Sequence, residues 1–217
     1  LWSGNLSIYA KPSGGNGSHL DMLHGSPYSM GIASERNNAY WVFDGYNNHI
    51  CRYDFGSDHG PGNADHDDGV IQRFTNIQVR KNGNIPSHMV MNDDRTVLYV
   101  ADGANKRVLK VKVNTASKKR ALALTNEKLA DHSEWNADFE VLAADATFNV
   151  CGVAINKNRL FICDYDNGNI RCINLDTKNE LGRIETGISG ITGITIYKNQ
   201  IYFVSYKENA LFKIEPK

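Results

Sequence analysis

Four stretches of the chain repeat one pattern: an apolar strand ending in a turn residue, a short polar turn, and a second strand. The first strands read Tyr40-Trp41-Val42-Phe43-Asp44, Leu98-Tyr99-Val100-Ala101-Asp102, Leu160-Phe161-Ile162-Cys163-Asp164 and Ile201-Tyr202-Phe203-Val204-Ser205. The strands after the turn run from His49 to Tyr53, Arg107 to Val111, Asn169 to Ile173 and Ala210 to Ile214. Upstream of each turn residue lies a third apolar run: Met30 to Ala33, Met89 to Met91, Gly152 to Ile155 and Gly193 to Ile196. Self-similarity of this kind means one supersecondary unit copied along the chain, each copy burying a face it cannot bury alone.

Three strands repeated around a ring, with a fourth between units, describe the blades of an all-β propeller. The turn residues are 58, 62 and 41 residues apart. The shortest spacing is close to one propeller repeat of about 40 to 45 residues. The longer two exceed it by 17 and 21, too little for a further blade, and mark insertions at 55–69 and 114–138. The first, rich in Gly, Asp and His, reads as a loop; the second reads as a strand followed by a short helix. The expectation is a single domain over 1–217, with blades near 24–75, 85–125, 148–187 and 189–217. Outer strands are read at Val70–Phe74, Ala121–Leu124 and Arg183–Thr186. The fourth blade lacks one, and the alternating run Asn5–Ala10 is expected to supply it and close the ring.

Asp44, Asp102 and Asp164, each with an Asn three positions on, and the preceding Val-Phe-Asp, Val-Ala-Asp and Ile-Cys-Asp runs resemble the NHL-repeat propeller family. The likeness covers residues 24 to 215; the fourth blade departs from it with Ser205 and Glu208. It implies a propeller that is commonly six-bladed, so the chain is either a small closed ring or part of a larger one. It also implies two kinds of activity. Some such propellers bind RNA through a basic face, and some, such as the lyase that completes peptide amidation, hold a metal with histidines from several blades.

The turn aspartates are read as structural, because an Asp side chain accepts the backbone N–H groups of the turn that follows it. Chemistry is sought elsewhere. The segment from Asp54 to Asp68 packs five aspartates and two histidines among glycines and a proline. Such a mixture suits Ca²⁺ through its carboxylates or Zn²⁺ through its histidines. His59, Asp65, His66 and Asp68 are the expected ligands. His24 and His88 lie near strand starts expected to face the central channel, and Cys151 occupies the position equivalent to His88 in blade three. These three are the expected ligand-binding residues. A Cys151 nucleophile has no orienting third residue to support it.

The 24 basic and 24 acidic residues balance, so no global field draws the chain to nucleic acid or an anionic membrane. The basic stretch Lys106 to Arg120 alternates with Leu109, Val111 and Val113 and lacks aromatics for base stacking. Nucleic acid is therefore not the expected partner. No apolar run approaches the roughly 20 residues that span a bilayer. The chain starts at Leu1 and carries two glycosylation-type triplets, which slightly favours a secreted or periplasmic setting. Reading Asn167-Gly168 as a two-residue hairpin turn sets Cys163 opposite Cys172, as a disulfide or as two small packed residues.

The reading that results is a binding module for a protein, peptide or small ligand on the loop face of a propeller, with a divalent cation as an accessory. The alternative is a metal-dependent lyase or hydrolase with its site at the channel mouth.

Overall fold

The computed structural model describes residues 23–57, 67–123 and 128–215, and no helix occurs among them. Blade one contains β1 (Ser29–Ser34), β2 (Ala39–Asp44), β3 (His49–Asp54) and β4 (Val70–Gln78). Blade two contains β5 (Met89–Met91), β6 (Val97–Asp102), β7 (Arg107–Ala121) and β8 (Asp131–Ala144). Blade three contains β9 (Val150–Asn156), β10 (Arg159–Asp164), β11 (Asn169–Asn174) and β12 (Glu180–Glu185). Blade four has three strands, β13 (Ile191–Tyr197), β14 (Gln200–Ser205) and β15 (Ala210–Ile214), with β15 at the sheet edge. Asn5–Ala10, expected to extend this edge, lies outside the described residues. The chain is an all-β propeller with four recognisable blades.

Period-2 alternation sends successive residues of each strand to opposite faces, and here each face meets a different neighbouring blade. Trp41, Phe43, Ile50 and Phe74 pack on Met89, Leu98, Val100, Leu109 and Val111 of blade two. Tyr99, Ala101, Val108 and Leu142 pack on Val153, Leu160, Ile162 and Ile173 of blade three. Cys163 and Ile170 pack on Ile191 and Phe203 of blade four. The first strands β1, β5, β9 and β13 stand side by side in that order, and no comparable contact joins β13 back to β1 among the described residues.

The turn motif explains why the repeat is so legible. Asp164 is buried; its Oδ1 accepts the Asp166 N–H at 3.1 Å and its Oδ2 the Asn167 amide at 2.7 Å. Asp102 accepts the Asn105 amide at 2.8 Å and also the Arg107 Nε–H at 2.7 Å. Ser205 does the same work with one oxygen, accepting the Glu208 N–H at 3.1 Å and donating to the Ser189 carbonyl at 2.7 Å. Four positions after each of these residues the backbone turns left-handed, at Asn48, Lys106, Gly168 and Asn209. That residue lets the right-handed twist of the strands continue past a four-residue turn. In blade three only glycine fits, since a Cβ there would lie 2.1 Å from the Ile188 carbonyl oxygen.

This turn corrects the expected hairpin register. Asn167-Gly168 forms the end of a four-residue turn, closed by the Gly168 N–H on the Asp164 carbonyl at 3.1 Å. Cys163 therefore pairs with Ile170, and Cys172 with Phe161. The two cysteines become diagonal neighbours, about 7–8 Å apart by ordinary sheet geometry, too far to bridge. All four cysteines are free thiols.

The second insertion holds no strand–helix unit in its described part. β7 and β8 continue through it as a long hairpin, and β8 rather than Ala121–Leu124 is the outer strand of blade two. The far half of β8 also pairs in parallel with β4, Val70 to Asp131 through Phe74 to Trp135. Blades one and two thus form one eight-stranded sheet. The hairpin also accounts for the basic stretch. Lys118 pairs with Asp131 at 2.9 Å, while Lys119 and Arg120 meet Glu134 at 3.0 and 2.5 Å. The Thr75 hydroxyl, with Arg120 and Lys119, holds the Glu134 carboxyl down to about 2.

Candidate functional site

Asp44, at the end of β2, is the hub of a buried polar cluster. Its Oδ1 accepts the Tyr46 and Asn47 N–H groups at 3.1 and 3.0 Å, and its Oδ2 the Asn47 amide at 2.7 Å. The same Oδ2 accepts the Ser26 hydroxyl at 3.0 Å and the Arg73 guanidinium at 3.2 Å. Burial alone would raise the Asp44 pKa; donation from Asn47 and Ser26 and the nearby His49 reverse this and leave it below the usual value. Arg73, on β4, also donates to His132 Nε2 at 2.8 Å and to the Gly25 carbonyl at 3.0 Å.

Asp44, His49 and Cys51 place an oxygen, a nitrogen and a sulfur within 4.8 Å of one another, a donor set suited to a transition metal. One guanidinium nitrogen of Arg73 contacts all three, 3.2 Å from the carboxylate and 3.5 Å from both His49 Nε2 and Cys51 Sγ. Positive charge is therefore already supplied by the chain. Burial pushes the Cys51 thiol up to about 12 although the Arg73 charge pulls it down, which keeps it a poor ligand.

Two of three cavities bear on the expected ligand residues, and they separate them. His24 lines a cavity of about 490 Å³ on the far side of blade one, with Leu23, Ser26, Ile32, Tyr40, Tyr53 and Phe55. Its polar wall is Ser26, whose hydroxyl sits 2.6 Å from the Tyr53 hydroxyl. His88 lines a channel cavity of about 350 Å³ between β5, β9 and β13, beside Met89, Val153, Gly193 and Thr195. Burial lowers the His88 pKa, opposed by a bond to the Thr192 backbone, so the ring is neutral at pH 7. Cys151 lines neither cavity. It is buried, its thiol donates to the Ile191 carbonyl at 2.8 Å, and burial pushes its pKa up to about 12.

The third cavity, about 700 Å³, opens on the face carrying the Asp and Ser turns. It is lined by Asn82 to Pro86, Tyr165, Thr192 and Tyr206. Asn82 is fixed by its amide on Asn149 Oδ1 at 2.8 Å, and Asn149 in turn donates to Asp166 at 3.1 Å. The Lys207 ammonium lies 5.4 Å from the Tyr165 ring centroid. Tyr206 is 77% exposed. The sequence reading did not single out these residues. A signal was present: Tyr165 and Tyr206 each directly follow the turn residue of their blade, so the repeat itself places both rings at one end of neighbouring hairpins.

Of the expected metal ligands, His59, Asp65 and His66 lie outside the described residues. Asp68 accepts the Ser57 N–H at 2.7 Å. Elsewhere in that loop Asp54 is 3.2 Å from the Arg52 guanidinium, and Asp67 pairs with Lys128.

No protein-family model matches the chain, and no curated protein matches it. Solved structures do. A streptogramin B lyase structure superposes with a TM-score of 0.52 at 11% identity, over 87% of this chain and 55% of that one. A structural genomics protein of unknown function from Bacteroides thetaiotaomicron gives 0.54 at 13% identity, over 87% of this chain and 41% of that one. The computationally designed Ika4 protein gives 0.50 at 13% identity, over 91% of this chain and 98% of that one. The chain thus spans little more than half the length of the lyase. Identities this low carry fold alone, and that fold is the β-propeller.

Proposed function

We propose that this protein is a binding module of the NHL-repeat kind, and that its partner is a peptide segment seated in the turn-face cavity. The observation that carries the reading is the lining of that cavity. Two tyrosines from adjacent blades face an amide-rich loop, Asn82 to Pro86, across about 700 Å³. Aromatic rings offer large, stiff contact area, and amides offer paired donors and acceptors for a peptide backbone. Lys207 over Tyr165 adds a cation that an acidic side chain or a C-terminus can meet.

The test is a random peptide library panned on the protein, with binding of the enriched sequences then measured on variants. Tyr165→Ala and Tyr206→Ala should each weaken binding about tenfold or more, as central aromatic contacts do. Tyr197→Ala, on an exposed ring outside the cavity, should leave binding unchanged. Peptides that bind all variants equally would place the site elsewhere.

The lyase or hydrolase alternative needs His24 and His88 to share an ion, whereas the two line separate cavities. A divalent cation on the loop, held through His59, Asp65, His66 and Asp68, is an accessory proposal. Stability gained by binding should raise the melting temperature with Ca²⁺ or Zn²⁺ and lower it with chelator. The pair His59→Ala and His66→Ala should abolish a zinc response and spare a calcium one; no shift with either ion removes the proposal.

A further inference from the structure

Gly45 stands where blades three and four carry Tyr165 and Tyr206, directly after the turn residue. The space a side chain would fill there is taken: a Cβ would lie 2.8 Å from the Tyr28 carbonyl oxygen and 3.0 Å from Lys81 Cδ. The glycine thus lets Tyr28 and Lys81 close over the first hairpin turn, where the Gly45 N–H donates to the Tyr28 carbonyl at 2.8 Å. Tyr46, in the same turn, has its ring centroid 6.1 Å from that of Tyr28, and the Lys81 ammonium lies 5.3 Å from the Tyr28 ring. Both rings are more than half exposed. Blade one therefore rebuilds, from other residues, the aromatic–lysine grouping that Lys207 makes with Tyr165 near Tyr206.

One loop separates the two groupings. Lys81 runs directly into Asn82 to Pro86, the amide-rich wall of the turn-face cavity, and its ammonium donates to the Gly83 carbonyl at 3.2 Å. The loop is a tight turn, closed by the Ile85 N–H on the Asn82 carbonyl at 3.0 Å. It is pinned on both sides, by the Arg80 N–H on Asp102 Oδ1 at 2.8 Å and the Ser87 N–H on the Met30 carbonyl at 2.9 Å. Its tip is open, with nothing inside 4 Å of where a Gly83 side chain would begin. A ligand leaving the cavity over this tip meets Lys81 and the two rings beside it.

The two cations decide the chemistry of that ligand. Among the described residues neither Lys81 nor Lys207 pairs with a carboxylate; their hydrogen bonds go to the Gly83 carbonyl and, at 3.4 Å, to the Ser189 hydroxyl. Lysines elsewhere do pair, Lys118 with Asp131, Lys119 with Glu134 and Lys178 with Glu140. Asp166, the acid beside Tyr165, is engaged by the Asn149 amide. Resting on the peptide reading of the turn-face cavity, we infer a second subsite at Tyr28, Tyr46 and Lys81, and an acidic peptide as the ligand. The peptide crosses the 82–85 turn and sets one carboxylate on each lysine. Each ammonium is already held over a ring, so little freedom is lost when a carboxylate arrives. Once one contact forms, the other becomes an intramolecular event.

Peptides enriched from a random library, with binding read by fluorescence anisotropy, test this. The enriched sequences should carry two acidic groups, and replacing either with its amide should weaken binding. Lys81→Glu and Lys207→Glu should each weaken it about tenfold, since reversal adds repulsion to the lost attraction. Lys81→Gln keeps most of the stem over Tyr28 and should lose less, about threefold, and it probes the subsite even where the reversal disturbs the loop. Lys198→Glu, beside exposed Tyr197 at the β13–β14 turn, should change nothing. Circular dichroism checks the fold of each variant. Peptides with a single acidic group that need Tyr165 and Tyr206 but ignore both Lys81 variants overturn the second subsite and leave the cavity reading standing. Peptides indifferent to Tyr165 and Tyr206, or no enrichment at all, overturn both.

Discussion

Replacing Asp44 with alanine should cost about 3–5 kcal/mol, the range for removing one partner of a buried charged pair. The carboxylate accepts two turn N–H groups, the Asn47 amide, the Ser26 hydroxyl and the Arg73 guanidinium. Its loss leaves Arg73 buried beside neutral His49 and Cys51 with no anion in the cluster. Arg73→Met should be costly too, from the opposite side, by leaving Asp44 buried without its cation. The double variant should cost less than the two singles added together, because each already loses the same contact. Urea denaturation midpoints at constant slope measure all three. Acid gives a second reading. The folded Asp44 pKa lies below its ordinary value of 3.8, so its contribution is complete above that value and fades as pH falls through the folded pKa. Asp44→Ala should flatten this acid limb. A single variant within about 0.5 kcal/mol of wild type would show that the cluster is not what holds the first hairpin.

Trp41→Ala is expected to lose a similar amount, about 3–5 kcal/mol, by a different route. The indole is buried between blades one and two, its ring centroid 4.9 Å from that of Phe74. Its N–H donates to Glu35 Oε2 at 2.7 Å, and Arg52 grips the same carboxylate from Nε and a terminal nitrogen at 2.8 and 3.0 Å. Alanine opens a cavity in the largest hydrophobic cluster and strips a donor from Glu35. Trp41→Phe should restore most of the packing, and the remaining deficit, about 1 kcal/mol, measures the hydrogen bond. Against a typical total of about 5–15 kcal/mol, a loss of this size removes a large share of the stability. Thermal melts followed by near-ultraviolet dichroism would detect the loss, and an unchanged midpoint would contradict it.

The repeat was readable because hairpin turns and strand alternation are local. Asp44, Asp102, Asp164 and Ser205 mark their hairpins within a few residues, so their structural role follows from side-chain chemistry alone. What was not readable depends on register or on distance in the chain. Asn167-Gly168 carries a strong two-residue turn signal, yet the Asp164 carboxylate upstream claims the turn and moves the pairing by two residues, separating Cys163 from Cys172. The parallel pairing of β4 with β8 joins segments about sixty residues apart and leaves no trace in periodicity. Arg73 reads as an ordinary outward residue of a strand, and only folding brings it to Asp44 and His132. His24 and His88 illustrate the converse. Both sit ahead of first strands, but only His88 reaches the channel, because the chain before β1 crosses the free side of blade one. The turn-face tyrosines stand at a repeated position, but the other two repeats carry Gly45 and Gly103 there, so the pattern alone does not mark the two rings as a pair.

The parallel seam between β4 and β8 also bears on how such a chain can be rearranged by duplication or recombination. A propeller whose blades touch only through side chains can lose, gain or exchange one blade at a joint and leave two intact sheets. The joints between blades two and three and between three and four come near that case: each sheet ends there, and the backbone bonds that cross them lie outside the ladders, such as the His88 N–H on the Cys151 carbonyl at 2.8 Å and the Gly190 N–H on the Tyr165 carbonyl at 2.6 Å. A break between blades one and two would instead expose five residue pairs' worth of backbone, from Val70 through Phe74 and from Asp131 through Trp135. The first two blades are thus bonded into a single unit of eight strands, and the modular unit of this chain changes size along its length.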